Sequence, residues 1–304
     1  MARYHLTGRT VLVTGATGGI GAACAHALHA RGANVVLLGR DTSSLSALTR
    51  RLGPERALPL TADVTDQASL DEAVARAVHR FGGLDVVFAN AGTAPTCPAT
   101  LATIDAALFE HIVDVNVLGT WRTLRAALPH VVARRGHVLV NASVYAYVNG
   151  AANAPYAASK AAVEQLVRAL RVELGTRGAT AGVLYPGWVE TGMSRVAFGG
   201  DPLATRMREA AFPRPFARAI GPELVAARVV QGIERRAAAL TVPRRWGPVG
   251  ALRGILNPLV DRALARHARL QPLLRQLEDD GRCRTLAPAA DGAALSEEDP
   301  AKWG

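Results

Sequence analysis

The sequence predicts an α/β fold: a doubly wound, seven-stranded parallel sheet with helices on both faces, followed by a helical C-terminal extension. Three observations carry this. Short aliphatic or β-branched runs recur along the chain and read as strands. Longer alanine-rich segments with helical apolar spacing separate them, and strands alternating with helices imply βαβ units. Each strand is apolar almost throughout, as burial on both faces requires.

The strand candidates are, in order, TVLVT from Thr10, NVVLL from Asn34, ALPL from Ala57, DVVFA from Asp85, HVLVN from His137, AGVLY from Ala181 and LTVP from Leu240. They define one domain over residues 1–242, and residues 243–304 form the extension. Two helices read as unusually long, over residues 105–133 and 154–175. Their apolar residues beyond the core stripe predict packing against a second copy, as a homodimer or homotetramer; a solvated outer face is the alternative. Residues 192–221 mix Met193, Phe198, Phe212 and Phe216 with Gly, Pro and Arg. The stretch is too long for a simple connection and reads as a lid or a disordered segment.

Composition narrows the setting. Of 304 residues, 49% are hydrophobic, enough for a sizeable core. No 18-residue apolar run predicts a spanning helix. The start, MARYHLTGRTVLVTG, enters a strand with no signal-peptide core, so a cytoplasmic location is expected. Cys24, Cys97 and Cys283 are odd in number and scattered, which suits a reducing compartment and argues against a disulfide framework or a zinc site. His26 and His29 share a helical spacing but lack a carboxylate or Cys partner, so no metal is expected. The formal charge is +10, and residues 234–284 hold much of the excess, with eleven Arg against five acids. No zinc-finger, RRM or basic-zipper signature accompanies it, so nucleic acid is not an expected partner.

The first chemical signal is TVLVTGATGGIGAACAHAL. Gly15, Gly19 and Gly21 follow the first strand and open a helix. Glycine there permits a tight turn and close approach of a pyrophosphate, while the helix N-terminus offers unpaired N–H groups. About twenty residues on, the second strand ends in LLGRD. An acid at that place accepts hydrogen bonds from the ribose 2′-OH of NAD. Here it is Arg40, whose guanidinium suits a 2′-phosphate. NADP(H) is therefore expected and NAD less favoured; Asp41 is the counterweight, since it could reach a 2′-OH or repel the phosphate.

The second signal is YAASK. All but two of the 35 cationic side chains are arginine, yet one of the two lysines is Lys160, four residues after Tyr156. At that spacing both lie on one helix face. A free phenol titrates near pH 10, and an ammonium about 4 Å away contributes roughly 4 kcal/mol at an effective dielectric near 20. That is about three pKa units toward phenolate before desolvation opposes it. Pro155 places Tyr156 near a helix N-terminus, which also favours an anion.

In combination these motifs resemble the short-chain dehydrogenase/reductase family, its single-domain Rossmann-fold branch, over residues 6 to about 243. TGATGGIG at 14–21 is similar to the family's cofactor turn, and includes Thr17 and Ile20. ADV at 62–64 resembles the adenine-flanking segment, with Asp63 and Val64. ANAG at 89–92 resembles the NAG motif, giving Asn90, Ala91 and Gly92; the frequent extra Asn is Ala89 here. Asn116 in DVNVLG falls where the family carries a catalytic Asn. Ser143 stands thirteen residues before Tyr156, the family's interval. PGWVET at 186–191 completes the set with Pro186, Gly187, Val189 and Thr191.

The resemblance implies roles. Tyr156 exchanges a proton with a carbonyl or alcohol oxygen, Lys160 tunes it and binds the nicotinamide ribose, Ser143 polarises the substrate oxygen, and Asn116 holds a relay water through its backbone. Thr191 anchors the carboxamide. Tyr145, Tyr147, Trp188 and Met193 are expected to line the substrate pocket, with core packing the competing reading for Tyr145 and Tyr147. The implied function is an NADP(H)-dependent oxidoreductase for a carbonyl or secondary alcohol, with a lipophilic substrate such as a steroid, polyketide or acyl group. The alternative is a non-catalytic NADP-binding sensor or scaffold.

The extension allows three readings. Leu259, Val260, Ala263, Leu264, His267 and Leu270 form an apolar stripe, with Arg262, Arg266 and Arg269 on the other face. It covers the fold's own active site or dimer interface, lies on an anionic membrane with Trp246 at headgroup level, or binds an acidic acyl carrier. The final ALSEEDPAKWG reads as disordered.

Overall fold

All seven expected strands form and pair in parallel in the order β3-β2-β1-β4-β5-β6-β7. The computed structural model describes residues 4–195 and 201–280; Phe198, Cys283 and the acidic tail lie outside them. The strands are β1 (Thr10–Thr14), β2 (Asn34–Gly39), β3 (Ala57–Thr61), β4 (Val86–Ala89), β5 (His137–Asn141), β6 (Thr180–Pro186) and β7 (Ala239–Val242). Every residue of β1 and β4 is buried, as strands covered on both faces must be. Asp85, expected to open β4, sits just before it and accepts from Thr10 N and Arg9 Nη1.

Helices α1 (Gly19–Ala30), α2 (Thr42–Leu52) and α3 (Gln67–Phe81) link the first four strands. Asp41 caps α2 and Asp66 caps α3, each accepting from first-turn amides that would otherwise lack partners. The helix expected over 105–133 is not uniform. It comprises α4 (Ala106–Val113), a π-helical turn (Asp114–Leu118) and α5 (Gly119–Ala133). The second long helix, α6 (Ala154–Glu173), matches its expected span, with Pro155 in its first turn.

Residues 192–221 carry helices rather than plain loop: α7 (Gly192–Ser194), α8 (Pro202–Ala211) and α9 (Arg214–Ala217). Asp201 caps α8 and Pro202 starts it. Helix α10 (Pro222–Arg235) then packs beside α1. One apolar core lies between the sheet and α1, α2 and α10; the other lies beneath α3, α5 and α6.

The extension folds onto this frame as α11 (Gly247–Ala251), α12 (Arg253–Leu264) and α13 (Leu270–Asp280). Trp246, expected at a headgroup surface, is instead buried, with its ring against Phe212 and Phe216. The expected stripe splits: Leu270 is buried, whereas Leu259, Val260 and Ala263 face solvent. Leu270, Leu273 and Leu277 of α13 instead pack with Leu203 and Met207 of α8. The cysteines also depart from expectation. Cys24 is buried and free, but Cys97 is disulfide-bonded. Spacing along a chain does not report proximity in space. Among the described residues no helix is long and apolar enough to cross a membrane, and no cluster of His, Cys, Asp or Glu could hold a metal ion.

Candidate active site

The cleft lies at the carboxyl ends of β1 and β4, where the strand order reverses, and has a volume of about 690 Å³. Its floor is backbone. Gly15 has φ +62°, a left-handed conformation that glycine adopts without strain. A Cβ on Gly21 would fall 2.1 Å from Gly15 O, and one on Gly19 would fall 2.7 Å from Thr191 Cγ2. Helix α1 has no side-chain cap at Gly18, so its first amides remain available to an anion. The turn is braced from behind. Thr14 Oγ1 accepts from Asn90 N and Ala91 N, both at 3.0 Å, and Asn90 Nδ2 donates to Thr14 O and Gly15 O. Asn90 lines the cleft, but its side chain is committed to the turn.

Arg40 is exposed at the rim, and no carboxylate among the described residues lies within ion-pair distance. Asp41, which could have opposed a phosphate, is committed to the cap of α2 through Ser43 and Ser44. Asp63 accepts from Thr65 N and Oγ1 at 2.8 Å. Burial disfavours its charge, but the Thr65 bonds and the positive Arg40 and His111 hold its carboxyl below the usual range. A Cβ-free cradle, an uncapped helix start and a free rim cation fit an anionic dinucleotide. Thr17, Ile20, Val64, Gly92, Pro186, Gly187, Val189 and Thr191 also line this cleft. Thr191 Oγ1 caps α7 by accepting from Ser194 N, which leaves its O–H as a donor.

Tyr156, Lys160 and Ser143 line the same cleft. The first turn of α6 holds Tyr156, and Lys160 lies one turn on, its Nζ 5.5 Å from the phenol ring centroid. The Ser143 hydroxyl hydrogen-bonds the Tyr156 phenol and accepts from Tyr145 N. The expected depression of the phenol pKa is not found. Burial pushes Tyr156 up to about 12, against the opposing Ser143 bond, and burial draws Lys160 down to about 8. Lys160 is buried and Tyr156 half-buried in the cleft wall, where desolvation disfavours either charge, and the ammonium donates to Asn141 O at 2.8 Å. Asn141, absent from the sequence reading, also ties Nδ2 to Asn90 Oδ1. It ends β5 whereas Lys160 lies on α6, and no local pattern announces the contact.

Asn116 differs from the other catalytic candidates. It is buried in the π-helical turn and does not line the cleft. Its amide accepts from Thr93 N and donates to Thr93 O and Ser159 Oγ, while its carbonyl accepts from Thr120 Oγ1 at 2.7 Å.

Beyond the phenol an aromatic wall extends outward. Tyr156 meets Tyr145 edge-on at 5.8 Å, Tyr145 meets Trp188 at 5.6 Å, and Trp188 meets Phe212 at 5.7 Å. Met193 is exposed at the mouth. Tyr147, expected in the pocket, packs in the core against Tyr185 instead, and its hydroxyl donates to Trp246 O. Arg208 of α8, not foreseen, stacks over Trp188 at 5.4 Å.

Comparison with known proteins agrees with this geometry. Residues 9–199 match the sequence model described as short chain dehydrogenase. The chain is similar to the L-fucose dehydrogenase of Oryctolagus cuniculus, at 34% identity over 231 residues, 75% of this chain and 79% of that protein. Among solved structures it is similar to a 3-ketoacyl-(acyl-carrier-protein) reductase from Brucella melitensis complexed with NADH. There the TM-score is 0.70 at 28% identity, over 78% of this chain and 97% of that one. An alcohol dehydrogenase from Thermococcus sibiricus complexed with 5-hydroxy-NADP is similar at TM-score 0.66 and 27% identity, over 77% and 95%.

Proposed function

The chain belongs to the short chain dehydrogenase family of NAD(P)-dependent oxidoreductases, and from that premise we propose an NADP(H)-dependent reductase of lipophilic ketones, or dehydrogenase of the matching secondary alcohols. The observation that carries the reading is the convergence of Ser143, Tyr156 and Lys160 on a cleft whose floor suits a dinucleotide. When bound, the nicotinamide supplies or accepts a hydride at the substrate carbon. The chain handles the proton. Ser143 Oγ donates to the substrate oxygen and fixes it beside the phenol, and Tyr156 Oη gives up its proton as that oxygen becomes an alkoxide. Lys160 is positioned by Asn141 O to hold ribose hydroxyls.

NADP preference rests on Arg40, unpaired at the rim, and on Asp41, turned into its cap. The lipophilic substrate rests on the wall of Tyr145, Trp188 and Phe212. A binding-only sensor has no use for a lysine and a phenol set side by side at the cleft, where desolvation disfavours the charge of each. Homo-oligomerisation is supported by Leu118 and Trp121 near the start of α5 and Val172 of α6, all large, apolar and exposed.

Turnover of NADPH and NADH over a ketone panel tests the reading. With the best ketone, Tyr156→Phe should lower kcat by about 10²–10⁴-fold while cofactor affinity holds. Near-wild-type turnover in the variant, or better efficiency with NADH, would overturn the catalytic or the cofactor assignment respectively.

A further inference from the structure

Helix α12 sits on the surface with its apolar side outward. Leu252, just before it, is 51% exposed, Ile255 69%, Leu259 61% and Val260 44%. Positions 252, 255 and 259 are three and four residues apart, so they form one ridge. The ridge cannot simply roll inward. On another side of the helix Arg253 forks onto Glu164, Nη1 to Oε2 at 2.8 Å and Nη2 to Oε1 at 2.7 Å. The Glu164 side chain is almost fully buried, and turning α12 would strand it unpaired.

Charge surrounds the ridge. Arg262 is exposed in the last turn of α12, and Arg266 and Arg269 are exposed in the turn that follows. Asp261, the one acid on α12, accepts from Asn149 Nδ2 and is thereby engaged. An apolar ridge flanked by arginines that make no ion pair among the described residues is complementary to anionic headgroups over an acyl layer. A second copy fits less well, because two-fold pairing of this face would set arginines against arginines.

We propose that α12 docks in the plane of an anionic membrane surface, with Leu252, Ile255 and Leu259 at the acyl boundary and Arg262, Arg266 and Arg269 on lipid phosphates. The face is also well placed. Leu264 of α12 and Leu270 of α13 border a crevice shared with Tyr145 and Phe212 of the aromatic wall. Docking there brings the substrate end of the cleft beside a source of apolar molecules. The association needs no turnover, so it stands or falls separately from the enzymatic reading.

Sedimentation of the full-length chain with phosphatidylcholine vesicles, with and without phosphatidylglycerol, tests it at low and high salt. The wild type should bind the anionic vesicles, and less at high salt. Arg262→Gln with Arg266→Gln should weaken that binding about 30-fold, taking roughly 1 kcal/mol for each arginine near the surface. Ile255→Gln with Leu259→Gln should weaken binding roughly tenfold or more. Melting temperature and NADPH affinity should stay unchanged in both, which keeps misfolding distinguishable. Absence of wild-type binding, equal binding to neutral vesicles, or indifference to both double variants would overturn the proposal. So would a dimer, seen by light scattering, that Ile255→Gln with Leu259→Gln dissolves, or capture of a purified acidic carrier protein in place of vesicles.

Discussion

The two ends of the cleft are made of different material. The cofactor end is backbone: Gly15, Gly19 and Gly21, the uncapped start of α1, and a brace from Thr14 and Asn90. All of it arises where two neighbouring strands end. The substrate end is side chain: Tyr145, Trp188 and Phe212, with Met207 behind them and Leu270 from the extension. These come from four separate places: the turn after β5, the segment after β6, α8 with its C-cap, and α13. A backbone site serves one ligand and tolerates no added atom, whereas a wall of side chains can be rebuilt for another substrate without disturbing the first.

Tyr156 stands where the two ends meet, and its ionisation is the sharpest way to probe the junction. With burial holding the phenol at about 12, the neutral acid is the standing form at physiological pH. Ketone reduction, which uses that acid, should be nearly level from pH 6 to pH 9 or so. Alcohol oxidation needs the phenolate, whose fraction grows about tenfold per pH unit below the pKa. Between pH 7 and 10 the oxidation rate should therefore climb up to about a thousandfold. Lys160 titrates in the same window, but its neutral amine still donates to Asn141, so the phenol sets the slope. An oxidation profile already flat at pH 8 would restore the Lys160-lowered phenol that sequence spacing suggested.

The next largest effect breaks the backbone end. Gly21→Ala places a Cβ 2.1 Å from Gly15 O and 2.9 Å from Asn90 Nδ2, so the turn must open. Cofactor affinity should fall about 10- to 100-fold, matching the roughly 1–3 kcal/mol that overpacking costs. Gly254→Ala in α12 is the control, since its Cβ meets nothing within 4 Å. It should leave cofactor binding untouched. If titration with NADPH showed the two variants alike, the backbone floor would not be what binds.

This division also explains what could be read in advance. Strands show in sequence because their burial is continuous, and the glycine turn shows because only glycine fits each place. The π-helical turn at Asn116 did not show, because a bond from Gly119 N to Asp114 O has no residue signature. Lys160's engagement with Asn141 depends on where β5 falls beside α6, which spacing within α6 cannot report. Trp246 among its arginine neighbours suited a headgroup surface, yet Phe212 and Phe216 of the 192–221 segment pack against it. Helix α8 was legible and overlooked: Asp201 at the cap and Pro202 after it are a plain start signal.

The smallest expected effect concerns how the extension shapes the substrate end. Leu277 of α13 is fully buried, but in a small cluster with Leu203, Met207 and Leu273 that is separate from both sheet cores. Leu277→Ala removes packing of the kind that costs about 2–5 kcal/mol in a core. Here that loss falls on the contact between α13 and α8 and not on the sheet. The main melting transition should barely move, and NADPH affinity should be unchanged, because nothing in the glycine turn touches the cluster. Helix α8 also carries Arg208, stacked on Trp188, so a loosened α8 misplaces the wall itself. The KM for a bulky ketone should rise about tenfold, a loss of roughly 1.4 kcal/mol of substrate binding, with kcat nearly constant. Steady-state kinetics on large and small ketones would check it. A change in kcat alone, or an equal effect on both ketones, would mean that α13 supports the whole fold and not the substrate end.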